Sequence, residues 1–454
     1  MIDIGTRLEL FVDDYLLEKI DKGISFKQHR PRPENVIISD DCPWEREINY
    51  VSVLDSGDKF MMYYRGSHHG SDKTGMGEPT CLAISKDGIN WEKPKLGLFK
   101  FEQNSANNIV LGGDYDSMPA TTKWSGYLGN ELRWRGEIAP FIDSDGAFRA
   151  LLRGARGYHQ IHAKRYDYGM YPAESVDGLN WKVLTEKPVI TKGQFDSQNL
   201  AIYDRIRQRY VAFTRDTHGI GVLDDNEKWH GDICRDIRVA FSDDFISWSE
   251  PKYLKYQDNE RLQLYTNAIS PYERAPHLLL GFPTIINEEE QTAPRFMFSR
   301  DGGTSFNRLP LVLIPHDAPS ERDGNRSNYM AHGLISANKN ELFCYATEGY
   351  KDGPSRRLRR FVWRTDGFVS LVGSGSAFTA PLKVGGNKLA LNYRGHVLVK
   401  FYDLDNKLLT EYEFKGDDIE AFADLDFDYN QPIRIRFDFQ NGEIFSFQMR
   451  NDNE

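Results

Sequence analysis

The chain is predicted to be all-β, a five-bladed β-propeller followed by a C-terminal β-sandwich. Three observations carry this. A short turn motif recurs along the chain, three strand-like runs precede each copy, and the pattern changes after Phe368. Of the 454 residues, 40% are hydrophobic and 13% aromatic, and the aromatic share favours β-structure or a stacking surface.

The motif reads Ser85-Lys86-Asp87-Gly88-Ile89-Asn90-Trp91, then Ser175-Val176-Asp177-Gly178-Leu179-Asn180-Trp181. Further copies are Ser242-Asp243-Asp244-Phe245-Ile246-Ser247-Trp248 and Ser299-Arg300-Asp301-Gly302-Gly303-Thr304-Ser305-Phe306, with Thr365-Asp366-Gly367-Phe368 as a truncated fifth. Asp and Gly accept tight-turn backbone angles, the Ser or Asp side chain caps backbone N–H groups, and the aromatic packs back on its blade. The motif resembles the Asp-box of sialidases and related propellers. Its irregular spacing points to blades with inserted loops.

The runs before each copy are predicted strands. They span 49–54, 59–65 and 80–85; then 137–142, 147–154 and 169–175; then 198–203, 209–215 and 237–242. The fourth set is 266–271, 277–283 and 294–299, and the fifth 328–335, 341–348 and 359–364. One strand after each motif makes four per blade, as in a propeller around a central channel. The domains predicted are an N-terminal arm over residues 1–40, a propeller over 41–367 and a sandwich over 368–454. The arm is expected to run along the sandwich or close the propeller's outer edge. Runs at 389–393, 396–402, 408–414, 433–439 and 444–449 alternate apolar and polar residues, as a sandwich requires.

The formal net charge of −10 lacks the basic footprint that nucleic acid needs. No run reaches the roughly 18 apolar residues of a membrane span, and the first fourteen residues carry five charges where a signal peptide would be apolar. The expectation is a cytoplasmic protein, or one from which a leader has been removed. Cys42, Cys81, Cys234 and Cys344 stand singly, without zinc-like spacing, and read as reduced structural thiols. No dinucleotide, P-loop, zincin or EF-hand pattern appears, so no cofactor and no metal is predicted. His68-His69 could meet a metal with Glu78 or His218, but a loop pair of histidines usually does not.

The combination resembles the five-bladed glycosidase superfamily of invertases, arabinanases, xylosidases and mannoside phosphorylases. Val12-Asp13-Asp14-Tyr15-Leu16, Phe195-Asp196-Ser197-Gln198-Asn199, Tyr265-Thr266-Asn267-Ala268 and Arg364-Thr365-Asp366-Gly367-Phe368 resemble a little-characterised bacterial glycosidase-like group with a C-terminal β-sandwich. The invertase Asn-Asp-Pro, Arg-Asp-Pro and Glu-Cys motifs are absent, which counts against fructan cleavage.

In a propeller the starts of first strands and the ends of second strands share one rim. That rim collects Glu45, Glu47, Asn49, Glu137, Asp196, Asn199, Asn267 and Asn328 from first strands, and Arg65, Arg153, Arg215 and Glu348 from second strands. His68, His69, His159 and His218 follow closely. Glycoside cleavage needs two carboxyl groups flanking the bond. The resemblance implies carboxylates from the first three blades: Glu47 as nucleophile or base, Glu137 tuning pKa and binding sugar, and Asp196 as acid. Glu348 is held in reserve. The bland alternatives are a solvated loop at Glu45 and Glu47, a turn cap through Gln198 at Asp196, an ion pair of Glu137 with Arg135 or Arg153, and one of Glu348 with Arg356, Arg357, Arg359 or Arg360.

The substrate-binding candidates are Asn49, Arg65, His69, Arg153, Asn199, Arg215, Asn267 and Asn328. Arg65, Arg153 and Arg215 occupy matching second-strand ends, so their forks are expected either to converge on an anion or to pair with rim carboxylates. Trp44, Tyr64, Trp124, Trp134, Tyr158 and Tyr329 are candidate stacking faces. The leading expectation is a glycoside hydrolase acting on an oligosaccharide, an anionic sugar included. The others are a phosphorylase holding phosphate on the arginines and a propeller that binds glycans without cleaving them.

Overall fold

The computed structural model describes residues 1–45, 48–66, 79–101, 104–112, 132–134, 137–156, 166–223, 229–287, 291–315, 328–349, 356–427 and 431–451. These form strands, turns and loops, and no helix.

Five radial sheets make the propeller. In the first, strands Asn49–Asp55, Phe60–Arg65, Thr80–Ser85 and Ile109–Leu111 lie in chain order from inside to outside. The second has Leu132–Trp134, Phe148–Arg156, Tyr166–Ser175 and Lys182–Val183, with Phe141–Ile142 beside Phe148–Arg156. The third has Leu200–Asp204, Arg209–Leu223, Trp229–Ser242 and Lys252–Tyr253. The fourth has Ser270–Tyr272, Ala275–Gly281, Phe296–Ser299 and Ser305–Leu309, flanked by Lys255–Tyr256. The fifth has Tyr329–Met330, Glu341–Glu348 and Arg357–Arg364, and its outermost strand is Arg32–Ser39 from the N-terminal end of the sequence.

That last strand corrects one expectation. In the fifth blade the strand after the turn motif, Val369–Thr379, leaves the propeller for the C-terminal sheet. The turn before it holds Asp366 at φ 60°. Its buried carboxylate does not cap its own turn. It accepts from Tyr272 Oη (2.5 Å) and Arg274 Nε (3.0 Å) of the fourth blade, and from Ser446 Oγ (2.7 Å) of the C-terminal unit.

The other four turns cap themselves. Asp87 Oδ1 accepts from the N–H groups of Ile89 and Asn90 at 2.8 Å, and Asp177, Asp244 and Asp301 repeat the arrangement. Backbone donors from Ser247 and Ile246 bring the Asp244 carboxyl down to about 2.

Each turn is also gripped by the blade before it. Tyr345 of the fifth blade donates to Gly88 O (2.7 Å), and Tyr63 of the first to Gly178 O (2.9 Å). Phe141 of the second packs edge-on against Phe245 at 5.8 Å, Arg207 of the third donates to Arg300 O (2.9 Å), and Tyr272 of the fourth reaches Asp366. The repeated turns thus join the blades into a ring. Tyr345→Phe deletes one such join while Gly88 O keeps its bond from Trp91 Nε1 (3.2 Å), so a loss of about 1 kcal/mol in chemical denaturation is expected.

The C-terminal strands Val369–Thr379, Lys388–Tyr402, Leu408–Asp424 and Arg434–Arg450 belong to one seven-stranded sheet, completed by three strands from the first 28 residues. Ten residues of straight strand span roughly 33 Å, yet the rings of Phe437 and Phe447 lie 5.7 Å apart. The sheet therefore folds over on itself. The crease runs through glycines paired across neighbouring strands, Gly373 with Gly442 and Gly395 with Gly416. Gly395 has φ 83°, and a Cβ there would lie 2.4 Å from Asn441 O. Phe11, Leu389, Leu391, Phe401, Phe437 and Phe447 fill the space between the two layers.

Candidate active site

The rim at the starts of the inner strands opens onto a channel that is plugged at its waist. Gln198 of the third blade donates across the channel to Val51 O of the first (3.0 Å). His332 of the fifth blade bonds Val51 and Val53 through its backbone and Ser52 Oγ through Nδ1 (2.9 Å). Burial pushes His332 down to about 4, so the imidazole is neutral at physiological pH.

Above this plug the second and third blades bring three predicted residues together. Arg153, at the second-strand end of its blade, uses both prongs of its fork. Nη1 meets Asp196 Oδ1 at 2.7 Å and Nη2 meets Glu137 Oε2 at 2.8 Å. Arg65 Nη1 lies 3.6 Å from Glu137 Oε1 on the other side. Arg65, Glu137 and Arg153 are buried, whereas the Asp196 side chain is 74% exposed. Of these two carboxylates, only Asp196 meets solvent. Burial opposes the charge on Arg153, but Glu137 and Asp196 outweigh it and the guanidinium is held more firmly protonated than usual.

The three matching arginines do not converge on an empty anion subsite. Arg153 and Arg65 face protein carboxylates, and Arg215 Nη1 donates to the carbonyls of Gln194 and Asp196, both at 3.3 Å. The reason is proximity. Carboxylates from first-strand starts fall within reach of the Arg65 and Arg153 forks, whereas Arg215 finds backbone carbonyls.

The other predicted residues separate by blade. Asn199 serves its own loop, donating to Phe195 O (2.9 Å) and Ser197 O (2.7 Å) while accepting from Arg215 N (2.9 Å). Asn267 makes long bonds to Gln198 O and Phe213 O, both 3.4 Å. Both carboxamides are thus turned inward and not toward the mouth. Glu348 is buried and paired with Arg357 and Arg359, as the bland alternative had it. Asn49 and Asn328 are fully buried. Neither carboxamide atom of Asn49 has a hydrogen-bond partner among the described residues, so its polar end keeps bonding capacity unspent. Glu47, His68, His69, Glu78, His159, Trp124 and Tyr158 lie outside the described residues. Glu45 is buried and holds Tyr64, Asn108 and Lys93, while Trp44 donates to Asn108; neither Trp44 nor Tyr64 is a stacking face.

Two features of the rim go beyond the sequence reading, in which Tyr329 alone of Tyr50, Tyr265 and Tyr329 is a candidate stacking face. Tyr50, Tyr329 and Tyr265 form an edge-on series, with ring centroids 6.2 and 5.7 Å apart. Arg65 lies over Tyr50 at 4.6 Å, and Arg235 over Tyr265 at 5.5 Å. Tyr50 has φ 50° and Ala268 φ 43°, so two inner strands begin on backbone that side chains seldom adopt. The second feature is a ribbon. The third blade's middle strands pair well past Arg215, as far as Leu223 with Trp229. Gln263 fixes the ribbon through Arg235 N and Ile233 O, both at 2.9 Å. The available signal was the alternation of Gly219 and Gly221 with Ile220 and Val222, which continues the strand pattern beyond the rim.

No family model matches the chain, and no curated protein matches it. Several solved structures are similar in layout. A glycosyl hydrolase from Bacteroides ovatus aligns at TM-score 0.45 and 13% identity, over 77% of this protein and 96% of that one. A thermostable family-43 glycoside hydrolase aligns at 0.45 and 12%, over 73% and 92%. An N-acetylgalactosamine deacetylase from F. plautii, solved with blood group B trisaccharide, aligns at 0.43 and 12%, over 91% and 96%.

Chemically, the described part of the mouth offers the exposed Asp196 carboxylate in a fixed position, with Arg65, Glu137 and Arg153 buried beneath it and the part-buried Tyr265 beside it. Such a surface can meet sugar hydroxyls with polar groups and a sugar C–H face with Tyr265, whereas Tyr50 and Tyr329 are buried.

Proposed function

We propose that the protein is a glycosidase-like enzyme that cleaves an oligosaccharide at the channel mouth. The observation that carries this is the Asp196 carboxylate, exposed to solvent yet held at 2.7 Å by a buried guanidinium above a plugged channel. A freely mobile surface carboxylate would have no such anchor, and a purely structural one would have no such exposure. Two carboxyl groups about 5 to 10 Å apart are what glycoside cleavage requires, and the partner for Asp196 is to be sought among the other rim carboxylates, Glu47 first.

The substrate is read as a neutral oligosaccharide. The arginine forks that would grip a sulfate, a phosphate or a carboxylated sugar are engaged by Glu137, Asp196 and backbone carbonyls. The same engagement favours water over phosphate as the acceptor. Incubating the protein with a panel of defined neutral and acidic oligosaccharides, with and without phosphate, tests the reading. The expected result is release of shorter sugars from a neutral member, independent of phosphate, with that sugar raising the melting temperature by ligand linkage. Thermal stabilisation without cleavage would instead make this a glycan-binding propeller, and no response across the panel would end the carbohydrate reading.

A further inference from the structure

The sequence resemblance implied that Asp196 donates the proton. The geometry points elsewhere: we propose that Arg153 is a positioning residue that holds Asp196 as an ionised carboxylate, so that Asp196 works as base or nucleophile and not as the acid. This rests on reading the mouth as a glycosidase site.

A general acid has to keep its proton near neutral pH, which needs burial or a neighbouring negative charge. The Asp196 side chain is instead largely exposed, and a buried cation holds it at 2.7 Å. Arg215 lies behind it, with Nη1 3.3 Å from the Asp196 carbonyl. The negative charge of Glu137 stands on the far side of Arg153 and is shared with Arg65. Tyr168 is a further ionisable neighbour of Arg153, and it packs on Phe195 beside Asp196.

The arrangement is a relay of position. Glu137, buried and fixed, orients the guanidinium through Nη2, and the planar fork then aims Nη1 at Asp196. Because both prongs are spoken for, Arg153 cannot swing away without leaving Glu137 buried beside a single arginine. Glu137 is thereby an anchor, removed from the sugar, and not a sugar ligand. The carboxylic acid that protonates the leaving oxygen must be a different rim group.

The test reads ionisation directly and needs no substrate. The full-length protein is treated with a water-soluble carbodiimide and glycine ethyl ester across pH 4 to 7.5, and coupling at each carboxyl is followed by peptide mass spectrometry. Carbodiimides couple the protonated carboxyl, and the exposed Asp405 serves as internal reference. The half-coupling pH of Asp196 is expected to lie below that of Asp405 by about one unit, the low end of what an adjacent arginine produces. Arg153→Met should close the gap. Arg153→Lys, which keeps a charge but cannot bridge two carboxylates, should narrow it while preserving the fold. A half-coupling pH for Asp196 at or above that of Asp405 in the unmodified protein overturns the proposal. So does a gap that persists unchanged in the folded Arg153→Lys protein. Failure of the oligosaccharide panel would leave this measurement untouched, so the two readings fail separately.

Discussion

Asp196→Asn is expected to lower turnover by 10²- to 10⁴-fold, the usual worth of a positioned acid–base group. The substitution keeps the shape of the side chain and removes its charge. Stability should change little, because Asp196 is mostly exposed, the amide keeps an acceptor for Arg153, and Glu137 still pairs the guanidinium. Measuring turnover on the oligosaccharide identified by the panel, together with a melting curve of the same preparation, separates the two effects. A variant with full activity would remove Asp196 from the chemistry. A variant that is inactive because it has unfolded would contradict the exposed placement of the side chain.

Asp366→Ala should have the largest effect on stability, about 3–5 kcal/mol by chemical denaturation, as for other buried charges deprived of a partner. Its carboxylate is fully buried and accepts from Tyr272, Arg274 and Ser446, which come from the fourth blade and the C-terminal unit. Burial and the neighbouring carboxylate both push the Tyr272 hydroxyl well above its ordinary range, so that hydroxyl remains a proton donor at any working pH. Removing Asp366 leaves Arg274 and the Tyr272 hydroxyl without their acceptor at the joint between propeller and C-terminal unit. Loss of cooperativity between the two units, seen as a broadened transition, is the expected companion. A loss below about 1 kcal/mol would show that the joint is held by its apolar contacts.

Much of the blade architecture could be read locally. The third strand of the first blade and the second strand of the fifth fall where the alternation puts them, at Thr80–Ser85 and Glu341–Glu348. Inner strands were harder. The run predicted at 266–271 becomes a strand only at Ser270–Tyr272, because Ala268 adopts a left-handed backbone that interrupts the ladder. The run at 137–142 likewise shrinks to Phe141–Ile142, and Leu132–Trp134 pairs with the same neighbouring strand. Rim identities were legible because strand ends alternate between faces, whereas the pairing of each charge was not. Whether Arg153 meets an anion or Asp196 depends on distances between blades that no local pattern encodes. The outer strand of the fifth blade comes from the N-terminal arm, one of the two placements expected for it, whereas Val369–Thr379, which the motif pattern made a fourth strand, joins the C-terminal sheet.

The closure of the ring by Arg32–Ser39 has a consequence for how the protein is made. Its partner Arg357–Arg364 is translated roughly 320 residues later, and at about 5–20 residues per second that is a wait of roughly 15 to 65 seconds. Throughout that interval the emerging polypeptide carries a strand with unmet hydrogen bonds, exposed to whatever else offers an edge. Its beginning is polar and proline-bearing, Arg32-Pro33-Glu34-Asn35, and only its end, Val36-Ile37-Ile38, is apolar. The closing strand is thus written to tolerate solitude on the ribosome and to become a seam only when the last blade arrives.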